Sequence, residues 1–137
     1  MKKGFTLVEI MIVIAIIGIV IAMVSVNLVR SKTTAVETNA QTTLKTMGTA
    51  LESYAGANGG IYATGDDLSE LYDPDPKYIN KDYVADCTVD SPCQGYSYSC
   101  ELTIAGYTCT ATPNVSYSGA RTFQIVTGAK LTEVAAE

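Results

Sequence analysis

The sequence predicts an α+β protein: a long protruding N-terminal α-helix, packed by its second half against a small antiparallel β-sheet. Three observations carry that prediction. Residues Ile10–Val29 hold no charge, and 13 of these 20 are Ile, Leu or Val. Beyond them Val36, Ala40, Leu44, Met47, Leu51 and Tyr54 recur at steps of 4, 4, 3, 4 and 3, an amphipathic stripe. The C-terminal part then changes period, with "GYSYSCEL", "GYTCTATP" and "RTFQIVTG" alternating β-formers around turn signals.

As a helix, the uncharged run spans about 30 Å, one hydrocarbon thickness. Its aliphatic residues contribute roughly −4 to −8 kcal/mol to insertion, so one carboxylate near its end does not prevent it. That carboxylate is Glu9 in "KKGFTLVEIMIVIAIIG". An ionisable group in a membrane segment is expected to have a partner. Lys2 and Lys3 precede the run while Arg30 and Lys32 follow it, so the positive-inside count is close to a tie. A secretory signal peptide would need a longer charged region and a shorter apolar one. A plain membrane anchor gives Glu9 no purpose beyond reaching the interface.

No proline occurs before Pro74, so the helix is expected to continue from Phe5 to about Ala57 and stop in "GANGG". Gly18 is the weak point of its first half, where a glycine costs about 1 kcal/mol. A loop-rich stretch follows, with one short helix expected at Asp66–Tyr72, capped by Asp66 or Asp67. The strands come next, with a turn near Ile104–Gly106 that would set Cys100 opposite Cys109. The expected divisions are 1–4, 5–30, 31–58, 59–95 and 96–137, the last a sheet with a C-terminal tail.

Composition narrows the function. The chain has no His and no Trp, carries a formal charge of −5, and has a pI near 4.6. Lack of His removes the commonest general base, and no base–nucleophile pair is evident, so no enzyme is expected. An acidic body offers no footprint for phosphate backbones, and only Lys77 and Lys81 cluster, so no nucleic-acid partner is expected. Cys87, Cys93, Cys100 and Cys109 form an even, local set, read as two disulfides outside the cytoplasm. Of three pairings, the neighbouring one is favoured: Cys87–Cys93 and Cys100–Cys109. With no C-x-x-C and no His, zinc is disfavoured. The nine tyrosines suit half-buried positions with a wet hydroxyl.

Lys2-Lys3-Gly4-Phe5-Thr6-Leu7-Val8-Glu9, followed by a long apolar helix, resembles the class III signal of type IV pilins and type II secretion pseudopilins. The resemblance covers about the first 30 residues. It implies cleavage between Gly4 and Phe5 by a prepilin peptidase, N-methylation of Phe5, and an assembly role for Phe5 and Glu9. Cleavage creates an ammonium at Phe5, and a pair with the Glu9 carboxylate of a neighbouring copy would set axial register. The implied product is a filament of copies of this chain, made by an assembly ATPase and an inner-membrane platform from a single-pass precursor held in lipid. Its C-terminal domain lies outside the membrane. "Y-x-x-x-N-G-x-x-Y", from Tyr54 to Tyr62, resembles the helix-to-sheet loop of the same family less specifically. The chain departs from many bacterial pilins in lacking a proline about two dozen residues into the precursor, which favours the pseudopilin type.

Asp66, Asp67, Glu70, Asp73 and Asp75 place five carboxylates within ten residues. Calcium takes oxygen ligands in flexible loops, and some major pseudopilins bind it in their globular domain, which makes these residues calcium candidates. The competing reading is helix-capping acids in a solvated loop. Three functions stand as expectations: a type IV pilus subunit for adhesion or motility, a type II secretion pseudopilin, and a membrane-anchored monomeric binding domain.

Overall fold

A computed structural model describes residues 4–114 and 119–134; the side chains of residues 24–27 and 29 also lie outside the description. Seven elements follow in order: α1 (Leu7–Ala57), α2 (Ser69–Tyr72), α3 (Tyr83–Asp86), β1 (Tyr96–Thr103), β2 (Gly106–Pro113), β3 (Thr122–Val126) and β4 (Lys130–Val134). The chain forms two compact units that divide between Thr33 and Thr34. The first contains the apolar part of α1. The second holds the rest of α1 and the sheet, and is the α+β domain.

In the first unit the described large apolar side chains are exposed. Exposure runs from 47% at Val13 to 80% at Phe5. Among the described residues no helix is long and apolar enough to cross a membrane. The span read from the sequence, Ile10–Val29, includes residues 24–27 and 29, which lie outside the described side chains.

In the second unit the amphipathic stripe becomes the core. Ala40, Leu44, Met47 and Leu51 are buried, with Val36 and Tyr54 half-buried against them. The helix ends where Gly59 and Gly60 take positive φ (68° and 91°) and the Gly60 N–H returns to the Ala55 carbonyl at 2.7 Å. The sheet is antiparallel in the order β1-β2-β3-β4. Alternation sends Tyr96, Cys109, Phe123 and Ile125 into the core.

Gly48 sits inside α1, tight against the sheet. A Cβ there would lie 2.7 Å from Ile125 Cδ1 and 3.2 Å from the Tyr107 hydroxyl. Gly48→Leu is therefore expected to destabilise the domain by about 1–3 kcal/mol, measurable by denaturant unfolding, because the core cannot accept the added volume.

Three local features differ from the sequence reading. The short helix begins at Ser69 and has Leu68, with no side-chain cap, at its N-cap; Asp67 instead accepts from the Ser69 N–H and hydroxyl. The Asp side chain thus closes a local turn in place of a helix end. The helix α3 was not anticipated, and Asp82 caps it by accepting from the Val84 and Ala85 N–H groups at 3.0 Å. The strand β4 follows the three strands that the sequence predicts. Its side chains are exposed apart from half-buried Leu131, so it lacks the alternation that marks a strand from sequence.

Two disulfides staple this domain. Cys87 is bonded to Cys93, which ties the loop after α3 to the start of β1, and Cys100 is bonded to Cys109 across the β1–β2 ladder. Cys100→Ala with Cys109→Ala is expected to lower stability by about 2–4 kcal/mol, the usual worth of a native disulfide in a small secreted domain. A thermal melt of the double variant against wild type measures it.

Candidate functional site

The expected cleavage site, between Gly4 and Phe5, falls just before the helix. Gly4, Phe5 and Thr6 precede α1, and all three are exposed. Thr6 Oγ1 accepts from the Glu9 N–H at 3.2 Å, while Glu9 Oε2 accepts from the Thr6 N–H and hydroxyl at 3.4 Å. This is a reciprocal capping box, which satisfies donors that the first helical turn leaves open. It was missed in the sequence reading although "TLVE" carries its T-x-x-E spacing. Glu9 therefore has a task within its own chain, to start α1 two residues after the Phe5 terminus that cleavage would create. Gly18 lies in the helix with open space around it, so nothing packs against that position.

The five clustered carboxylates are spread over different tasks. Glu70 accepts from the Tyr54 hydroxyl at 3.1 Å and from the Thr64 N–H at 3.3 Å. Asp67 is held below the usual carboxylate range by its hydrogen bonds from Ser69. Asp66, Asp73 and Asp75 are exposed. Among the described residues no group of three or more His, Cys, Asp or Glu is placed to hold a metal ion.

Two acids that no local sequence signal marks, buried Glu37 and half-buried Glu52, organise the domain. Glu37 accepts from Arg121 at the N–H, Nε and Nη2, at 3.0, 3.1 and 2.9 Å, across 84 residues of sequence. Arg121 Nη1 also reaches Glu133 at 2.8 Å. Hydrogen bonding from Arg121 lowers the Glu37 pKa against the opposing effect of burial. Beside this pair the Tyr96 hydroxyl donates to the Arg121 carbonyl at 2.6 Å, and burial pushes Tyr96 up to about 12. Glu52 is the second acid. It accepts from the Gly128 N–H at 2.7 Å, the Tyr62 hydroxyl at 3.0 Å and the Tyr107 hydroxyl at 3.1 Å. Burial works to raise its pKa, but these hydrogen bonds together prevail and lower it. One acid thus ties α1 to the start of β3, and the other ties it to the β3–β4 turn.

Residues 1–25 match the prokaryotic N-terminal methylation motif. The chain carries a class III prepilin signal, that of type IV pilins and pseudopilins. No curated protein and no solved structure matches the chain. The prepilin signal points to a structural subunit made first as a membrane-anchored precursor. It also gives the capping box its setting: the first turn of the helix lies inside the motif and begins two residues beyond Phe5.

Proposed function

We propose that this chain is the subunit of a type IV pilus-like filament used in adhesion or motility. The observation that carries the reading is the pairing of the prepilin signal with an uncovered apolar helix face from Phe5 to Met23. In the precursor lipid covers that face. After cleavage between Gly4 and Phe5 and methylation of Phe5, the equivalent helices of other copies cover it, so residues 5–30 form the filament core. An apolar surface of this extent is too large to leave in water. The prepilin peptidase, an assembly ATPase and an inner-membrane platform are the partners this route needs. Glu9 supplies the counter-charge for the Phe5 ammonium of a neighbouring copy, since a charge removed from water requires one.

A specific observation favours a second reading, a type II secretion pseudopilin. Helix α1 runs from Leu7 to Ala57 with no proline, whereas many bacterial pilins break the corresponding helix with one. Both readings differ from a monomeric anchored domain, in which Glu9 would be dispensable.

Intact mass of the chain in filaments sheared from cells, compared with the membrane fraction, separates the three. A major sheared species beginning at methylated Phe5, four hydrogens light for two disulfides, is the result expected for the pilus subunit. A processed chain confined to membranes would favour the pseudopilin. A membrane chain retaining residues 1–4 would overturn the processing claim.

A further inference from the structure

The face of the sheet turned away from α1 is a two-dimensional array of hydroxyls. The outward row across the four strands reads Ser99, Thr110, Gln124, Thr132, and the next row places Ser97 opposite Thr112. Outward side chains repeat about every 6.7 Å along a strand and about every 4.8 Å between strands. The hydrogen bonds these groups make to one another are long. Gln124 Nε2 donates to the Thr110 hydroxyl at 3.3 Å, and the Ser97 and Thr132 hydroxyls reach backbone carbonyls at 3.4 Å. Such bonds are readily exchanged for better ones from a ligand.

The array has a wall. Val84 of α3 and Thr88 and Val89 of the following loop stand beside Ser97, Ser99 and Thr112 and enclose a groove of about 290 Å³. Val89 is 74% exposed, an apolar side chain held out next to a hydroxyl floor. Every side chain lining the groove is uncharged, on a chain whose formal charge is −5. Among the described strand residues the charges on this face, Glu101 and Lys130, fall in one row at the far end of the array, with Thr108 and Val126 between them.

We propose that this face and its groove bind a neutral, hydroxyl-rich polymer, an extended polysaccharide. The charge pattern selects the partner. There is no cation in the groove to recognise a phosphate or an acid, and no carboxylate to recognise a basic segment, so complementarity is to an uncharged chain. Sugar rings present hydroxyls at their edges and C–H groups on their faces. The first suit the Ser and Thr floor, and the second suit Val84 and Val89. A lattice of donors and acceptors repeated over four strands fits a repeating ligand better than a single small molecule. The inference goes beyond the filament reading and does not depend on it. Helix α1 packs on the opposite side of the sheet, so this face is open in the monomer.

The test is co-sedimentation of the full-length chain, in detergent micelles, with microcrystalline cellulose. Wild type is expected in the pellet, to be released by soluble cellohexaose and retained at high salt. Thr112→Lys, which puts an ammonium into the groove, is expected to bind about tenfold more weakly, because that charge must be desolvated by a partner with no counter-charge. Thr110→Val keeps the shape, removes a hydroxyl from the array, and should fall between the two; it also decides the matter if the lysine variant misfolds. Lys45→Ala on α1 should bind as wild type does. The proposal is overturned if wild type stays in the supernatant, if salt alone releases it, or if Thr112→Lys and Thr110→Val both pellet like wild type.

Discussion

Glu9→Gln is expected to abolish filament assembly while leaving membrane insertion and helix content at wild-type levels. The choice of glutamine matters because it separates the capping contact of Glu9 from its proposed charge pairing. Its carboxylate closes a capping box with Thr6, and glutamine at that position of the box caps nearly as well. What glutamine cannot do is balance an ammonium. In the proposed filament the terminus made by cleavage before Phe5 would sit in apolar surroundings, and leaving such a charge unpaired costs about 3–5 kcal/mol. Every copy in a filament would carry that cost. The processed chain should therefore accumulate in membranes while the sheared fraction empties. Thr6→Ala is the complementary case: it removes the cap, at about 1 kcal/mol, and keeps the charge, so assembly should persist at a reduced level. If Glu9→Gln assembled normally, the cap would be the whole role of this acid and the charge-pairing reading would fail.

The second large effect is expected at the Glu37–Arg121 pair, and the two partners should not be equivalent. The Glu37 side chain is 8% exposed and that of Arg121 52%. Glu37→Ala loses charge-assisted hydrogen bonds, about 1.5–3 kcal/mol, and frees a guanidinium that water can reach. Arg121→Ala instead strands a buried carboxylate and should be the more damaging variant. Denaturant unfolding of the two, with the disulfides intact, measures the order. A result in which Glu37→Ala is the worse would mean that packing around the acid, and not its charge, matters most.

The same pair sets an acid limit. The folded pKa of Glu37 is lowered, as is that of Glu52, from an ordinary value of 4.5. The stability these acids contribute is complete above the unfolded value and is lost as pH falls through the folded one. Stability should therefore be flat at neutral pH and decline below about 4.5, and Glu37→Gln should shallow that decline.

Much of the fold was legible along the chain because its signals are local. The stripe from Val36 to Tyr54 reports one buried helical face whatever that face meets, and "GANGG" stops the helix through conformations that glycine reaches freely. The short strands β1 to β3 alternate because one face is wet. The prepilin signal is also local, since a peptidase reads it before any tertiary structure is needed. The box "TLVE" was equally local and was passed over, because Glu9 was weighed as a membrane charge and not as a helix cap.

Other features had no such signal. The exposed strand β4 shows no alternation, and it exists because β3 offers an edge to pair with. Nothing beside Gly48 in the chain marks it as constrained, because the group that leaves no room there, Ile125, is distant in sequence. Glu37 and Glu52 resembled any solvated acid on a polar helix face, and their partners, Arg121 and Gly128, lie 84 and 76 residues away. The sequence by itself determined the helix, its apolar and amphipathic halves, the strand periods and the processing signal, each written in neighbours a turn or a pleat apart. The tertiary structure alone decided which acids are buried, which glycine must stay small, and which face of the sheet is left to hydroxyls. Those outcomes depend on contacts between distant segments, which neither composition nor period records.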